Sequence, residues 1–299
     1  MKIKQIFQQY ENRETINAYL FLLPALFITV LFVLIPVFGT FWGSLFRDVT
    51  YLQKKFIGIQ NFFFILWNTD FWSALRFTLV FTITAVALET FFGMLFALLL
   101  NETFRGRGFF RTIILIPWAI PTIVSAKTWK LIFDYTYGIL NYLVVTLGFS
   151  DGKINWLGSS FAAFWSLIAA EVWKTTPFVV IILLAGLQAI PHELYQQAKI
   201  DGAGVFKRFR TITLTLIQPV LIIALIFRTI DSLRIFDLVY ALTGGGPGGS
   251  TKSLSMLGFE MYTNDLFGKG STVSVITFCI AFIITIVYLK AGRFREKFS

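Results

Sequence analysis

The stretch IPHELYQQAKIDGAGVFKRFRTITLTLIQP, residues 190–219, decides how this chain is read. Its length suits a short helix, a glycine turn and a second helix. Glu193, Leu194, Gln197, Ala198 and Ile200 give a small amphipathic element, and a basic run at Lys207, Arg208 and Arg210 leads into an apolar one. Gly202 and Gly204 remove side chains where another backbone could approach closely. By itself such an element could also lie flat on a membrane surface.

Outward from this stretch the chain is apolar in both directions. Of its 299 residues 56% are hydrophobic and 14% charged, with a mean hydropathy of +0.73, whereas soluble domains carry about 25% charged residues. A membrane-crossing helix needs about 20 mainly apolar residues. Windows near 18–45, 73–100, 109–133, 161–190, 212–240 and 272–289 meet that requirement, so the chain reads as an all-α integral membrane protein with six transmembrane helices. The first span, 18–46, holds no charge apart from the flanks, is too long for a signal-peptide core and lacks a small-x-small cleavage site. The expected organisation is an N-terminal segment 1–17, this first helix, a five-helix core 70–290 that contains the 190–219 loop, and a tail 291–299.

Basic residues orient the spans, because Lys and Arg resist translocation. Lys2, Lys4 and Arg13, then Arg105, Arg107 and Arg111, then Lys199, Lys207, Arg208 and Arg210, then Lys290, Arg293, Arg295 and Lys297 make up 14 of the 26 basic residues. The alternate connections hold Arg47, Lys54 and Lys55, then Lys153, then Lys252 and Lys269. Both termini are therefore expected in the cytoplasm, and the net charge of +10 is accounted for by membrane orientation rather than by nucleic acid. The outer connections carry aromatic and turn clusters, 62–64 and 244–249, that suit anchoring among lipid headgroups. Pro117, Pro121, Pro177 and Pro219 fall inside spans, where a kink needs neighbours or a cavity to satisfy the freed carbonyls.

Ionisable side chains at mid-membrane are costly and need a partner or a wet cavity. Glu89, Glu171, Lys174, Arg228, Asp231, Arg234 and Asp237 are such residues. Spacings of three pair Glu171 with Lys174, Asp231 with Arg234, and Arg234 with Asp237 on single helix faces. They are either ion pairs that hold helices together or a polar patch, lined by Thr175, Thr176 and Ser232, for a hydroxylated solute, with Trp118, Trp173 and Phe178 as stacking surfaces.

At 190–219 the sequence resembles the inner-membrane permeases of binding-protein-dependent ABC importers, whose signature runs E-A-A-x-x-D-G-A and, after a fixed gap, I-T-L-P-x-x-x-P. The corresponding residues are Gln196, Gln197, Ala198, Asp201, Gly202 and Ala203, then Ile212, Thr213, Leu214 and Pro219. Gln196 stands for the signature glutamate, Gln197 for an alanine and Thr215 for the first proline. The resemblance implies a type I importer permease fold in a prokaryotic inner membrane. It also implies that this loop docks in a groove on an ATPase subunit through Glu193, Gln196, Gln197, Ala198, Asp201, Gly202 and Ala203, and Gln196 removes the acidic partner for an ATPase arginine.

Two further segments, EVWKTTPF (171–178) and FRTIDSLRIFDLVYALTGGGP (227–247), look like the disaccharide branch that imports trehalose, maltose and related α-glucosides. That similarity implies solute-facing positions at Trp118, Thr122, Lys174, Thr175, Phe178, Asp231, Ser232 and Ile235, with Arg234 beside them. The partners implied are a second permease subunit, a paralogue rather than an identical copy, two ABC ATPase subunits, an extracytoplasmic sugar-binding protein and membrane lipid. Lys174 and Arg234 keep open a different cargo, glycerol phosphate or an acidic oligosaccharide. A membrane-embedded glycosyl transferase acting on lipid-linked sugars would leave the 190–219 signature unexplained.

No phosphate-binding loop is present, since GGGPGGSTKS (244–253) has Thr251 where the glycine before Lys252 is required. The chain is thus expected to hold no cofactor, ATP and Mg being bound by the ATPase partners, and to be no enzyme. One His, His192, and one Cys, Cys279, supply neither a catalytic nor a metal constellation and no intramolecular disulfide.

Overall fold

The computed structural model describes residues 17–296, with side chains up to Lys290, so residues 1–16 and the tail side chains 291–299 lie outside the described residues. Helix α1 spans Asn17–Ser44. A π-helical turn at Val30–Leu34 precedes Pro36, which has no N–H to return to the carbonyl of Phe32. A hairpin follows, β1 Phe46–Val49 and β2 Leu52–Phe56, antiparallel with Arg47 opposite Lys55. This strand pair departs from an all-α expectation. Val49, Tyr51, Phe46 and Phe56 are β-favouring residues just beyond the apolar run, where the backbone no longer needs helix to satisfy itself.

Next come α2 Gln60–Leu66, α3 Thr69–Asn101, α4 Arg107–Ala119, α5 Thr122–Ile132, α6 Ile139–Thr146 and α7 Ser160–Gln188. The remaining elements are α8 His192–Ile200, α9 Val205–Leu233, α10 Asp237–Leu242, α11 Leu254–Thr263 and α12 Phe267–Glu296. Among the described residues α1, α3, α7, α9 and α12 are long and apolar enough to cross a membrane, and α4 with α5 makes a sixth if a bent pair counts as one span.

Two expected spans are corrected. The third is not one kinked helix: α4 and α5 meet at 91°, because Pro121 forces Ile120 into an extended conformation at ψ 132°. The fifth ends at Leu233 rather than near 240, and Phe236 at φ −135° and ψ −62° separates it from α10. Arg234 and Asp237 therefore lie on different segments and do not share a helix face.

Helix α7 packs along α3, and α9 lies against both. Helices α3 and α7 approach closely at Gly93, where a Cβ would come within 2.6 Å of Val179 Cγ1. Around this contact Ala97, Leu100, Val180, Leu183, Leu187 and Ile217 form one apolar cluster. A second joins Phe77, Phe81 and Leu167 to Leu238, Val239 and Leu242 of α10, so the short helix after the break is held against α5 and α7. By contrast α1 packs on α12 mainly through its last turns, with Phe41 and Phe278 edge to face at 5.6 Å, and its first half stands clear of the bundle.

The connections after α1 and after α6 are organised by two asparagines. Asn61, in α2, donates to the carbonyls of Ser44 and Phe46, both at 2.8 Å, and fixes the turn after α1. Asn141, in α6 and 2% exposed, accepts from the Ile154 amide at 2.9 Å and the Trp156 indole at 3.0 Å, and donates to the Ile154 carbonyl at 3.0 Å.

Candidate functional site

Three helices bring their charges to one point inside the bundle. Arg228 of α9 donates through Nε to Glu89 Oε2 at 2.7 Å, through Nη2 to Glu89 Oε1 at 3.1 Å and Glu171 Oε1 at 2.9 Å, and through Nη1 to Asp231 Oδ2 at 2.7 Å. The Thr175 hydroxyl lies 2.7 Å from Glu89 Oε1 and 2.6 Å from the Glu171 carbonyl. Glu89 is fully buried and Arg228 is 3% exposed. A buried ion of either sign needs such pairing to be tolerated, and a planar guanidinium offers donors on several edges at once.

Spacing of three along one helix describes the contacts of Asp231 with Arg228 and, at ion-pair range, with Arg234, but not those of Glu171. Glu171 bonds Arg228 of another helix and not Lys174, and Arg234 Nη2 stays 3.9 Å from Asp231 Oδ1. Lys174 is 8% exposed and makes no hydrogen bond or ion pair among the described residues. Glu89 and Arg228, 139 residues apart, form the centre of the cluster. Their individual cost in lipid marks them in the sequence, but their meeting is a matter of helix packing.

The other expected site residues divide into two groups. Trp118, at the end of α4, faces Phe178 of α7 with ring centroids 5.9 Å apart, and Phe227 of α9 stands edge-on to Phe178 at 6.2 Å. Trp118 and Phe227 are about half exposed, Thr122 opens α5 just past the break, and the Asp231 and Arg234 side chains are 62% and 66% exposed. These positions form an accessible face of aromatic rings and charge. Ser232 and Ile235 point the other way, 1% and 7% exposed, Ile235 within the cluster of Leu238 and Val239. The hydroxyls of Ser125, Thr176 and Ser232 are buried without a hydrogen-bond partner among the described residues.

At the opposite end, α8 presents Glu193, Gln196, Gln197, Asp201 and Gly202 to the outside, with Ala198 and Ala203 half-buried. Its C-terminus is a Schellman turn: the Ala203 amide returns to the Ala198 carbonyl at 2.8 Å and the Gly202 amide to Lys199 at 3.1 Å. Gly202 adopts φ +74°, which only glycine reaches without strain, and nothing among the described residues lies within 4 Å of where its Cβ would be. Its reason within this chain is therefore conformation, not a close approach. Tyr195 Oη and Thr213 Oγ1, 3.0 Å apart, tie α8 to the base of α9. Exposed Ile200, Val205 and Phe206 leave an apolar rim around the turn.

Residues 89–298 match the family described as "Binding-protein-dependent transport system inner membrane component". The chain belongs to that family. Several curated permeases align over almost its whole length. The trehalose/maltose transport system permease protein MalF of Thermococcus litoralis is 52% identical over 285 residues, 95% of this chain and 96% of the relative. The sulfoquinovosyl glycerol permease SmoG of Agrobacterium fabrum is 37% identical over 93% and 91%. The trehalose permease SugA of Mycobacterium tuberculosis is 35% identical over 91% and 87%.

Among solved structures, a bacterial ABC transporter that imports the acidic polysaccharide alginate superposes with a TM-score of 0.82 at 20% identity, covering 95% of this chain and 97% of that one. The same permease type appears with an alginate pentasaccharide-bound periplasmic protein, at a TM-score of 0.81. The fold is that of a type I ABC importer permease. This permease is accordingly an inner-membrane transport subunit of an importer served by a binding protein.

Proposed function

We propose that this permease imports trehalose, maltose or closely related α-glucosides. The observation that carries the proposal is 52% identity over 95% of the chain to the Thermococcus litoralis trehalose/maltose permease. In this reading the solute passes between this subunit and a paralogous second permease, meeting Trp118, Thr122, Lys174, Thr175, Phe178, Asp231, Ser232, Arg234 and Ile235 during the cycle. The exposed rings of Trp118 and Phe227 and the charges of Asp231 and Arg234 support it, since sugars are held by stacking on apolar faces and by paired polar groups. Ser232 and Ile235 join only in a conformation in which α9 and α10 turn them outward.

The energy comes from two ABC ATPase subunits that bind ATP and Mg. They close under α8, and Glu193, Gln196, Gln197, Ala198, Asp201, Gly202 and Ala203 transmit that closure so that the pathway opens alternately outward and inward. An extracytoplasmic sugar-binding protein delivers the solute, and both termini lie in the cytoplasm. The segments 1–17 and 291–299 flank the first helix and the core in this arrangement.

The test is reconstitution of the permease pair, the ATPases and the binding protein in proteoliposomes. Trehalose-loaded binding protein is expected to stimulate ATP hydrolysis and drive trehalose uptake. Uptake of a sulfonated or uronic sugar in preference to trehalose would assign the acidic cargo instead, and hydrolysis unaffected by loaded binding protein would overturn the coupling.

A further inference from the structure

The ion cluster between α3, α7 and α9 has a buried end and an exposed end. Glu89 and Arg228 are enclosed, whereas the Asp231 side chain is 62% exposed although one of its oxygens is bonded to the buried guanidinium. An aspartate one turn from the end of a helix would ordinarily sample several rotamers. Here Oδ2 is held by Arg228 Nη1 at 2.7 Å, and Arg228 is itself held on its other edges by Glu89 and Glu171, with Thr175 against Glu89. Asp231 Oδ1 accepts no hydrogen bond among the described residues, and Arg234 Nη2 lies 3.9 Å from it, beyond hydrogen-bond length.

We propose that Arg228 is a positioning residue for recognition of the solute, and that Glu89 acts through it. Together they fix the Asp231 carboxylate so that Oδ1 accepts a hydrogen bond from a solute hydroxyl while the Arg234 guanidinium, beside it, donates to the adjacent hydroxyl. An acceptor and a donor side by side suit neighbouring hydroxyls of an uncharged sugar ring. Fixing the acceptor in advance lowers the ordering cost at the moment of binding. This inference rests on the proposed solute-facing role of Asp231. It adds two buried residues, Glu89 of α3 and Arg228 of α9, to the recognition apparatus.

The experiment is a double-mutant cycle in the assembled complex. Radiolabelled trehalose retained by complexes arrested with a non-hydrolysable ATP analogue is measured for wild type, Asp231→Asn, Glu89→Gln and the double variant, with the amount of assembled complex recorded alongside. Asp231→Asn and Glu89→Gln are each expected to retain about tenfold less sugar, and the double variant no less than Asp231→Asn alone, because Glu89 works only through Asp231. Arg228→Lys, which keeps the charge but lacks the planar fork, is expected to resemble Glu89→Gln.

Full retention in Asp231→Asn would overturn the role of Asp231 itself. A loss in Asp231→Asn with none in Glu89→Gln, or losses that add in the double variant, would overturn the positioning role alone. If Glu89→Gln fails to assemble, the cycle is run with Glu171→Gln, which weakens the other buried carboxylate contact that holds Arg228. The same non-additivity with Asp231→Asn is expected, and additive or absent loss overturns the inference.

Discussion

At the residue scale, Glu89 shows what a charge requires inside this bundle. It is fully buried, and its hydrogen-bond partners among the described residues are Arg228 and Thr175. Replacing Arg228 by Met strands a carboxylate among apolar helices. Such orphaned buried charges cost about 3–5 kcal/mol, so R228M is expected to lower the yield and melting temperature of the detergent-purified complex well below that of R228K. Gly202 is a second such position. At φ +74° any side chain is strained by about 1 kcal/mol, enough to unwind the Schellman turn without dismantling the spans. Gly202→Val is expected to leave assembly intact while abolishing stimulation of ATP hydrolysis by loaded binding protein; full stimulation in that variant would count against a coupling role for the turn. Sequence reading found both positions, one by its cost in lipid and one by a signature. It could not see that Glu89 and Arg228 meet, nor that Gly202 is needed for its backbone angle.

At the element scale, packing between α3 and α7 depends on one missing side chain. A Cβ at Gly93 would sit 2.6 Å from Val179 Cγ1, so Gly93→Leu forces the helices apart. Overpacking of this kind costs about 1–3 kcal/mol, and because α3 carries Glu89 and α7 carries Glu171, the variant is expected to lose sugar retention together with thermal stability. After α6, Asn141 is the only side chain bonded to the backbone of Ile154 and to the Trp156 indole among the described residues. Asn141→Leu leaves these half-buried groups unpaired, and faster amide exchange across 134–156, with the spans unaffected, is the expected readout. The break between α4 and α5 was half legible. Pro121 announces an interruption, yet a 91° turn is set by how α5 finds α10 and α7, which no local rule supplies.

At the scale of the whole molecule, the topology yields a prediction that needs no ligand. With Cys279 replaced by Ser, single cysteines at Lys54 and Lys199 should react with an impermeant thiol reagent from opposite sides of intact cells or inverted vesicles. Labelling of both from one side would contradict the six-span arrangement. The basic residues carry that arrangement in the sequence, because a charge that resists crossing the bilayer does so whatever its neighbours are. For the same reason the apolar windows, the family signature at 190–219 and the presence of costly charges in the spans were determined by sequence alone: each is a local property of composition or spacing. The tertiary structure decided which charges pair, which aromatics share a face, where the fifth span ends, and that Ser232 and Ile235 are turned inward. Those outcomes depend on how separate segments meet, as Glu89 and Arg228 do across 139 residues of chain, and in a bundle whose helices are all apolar, periodicity cannot say which faces meet.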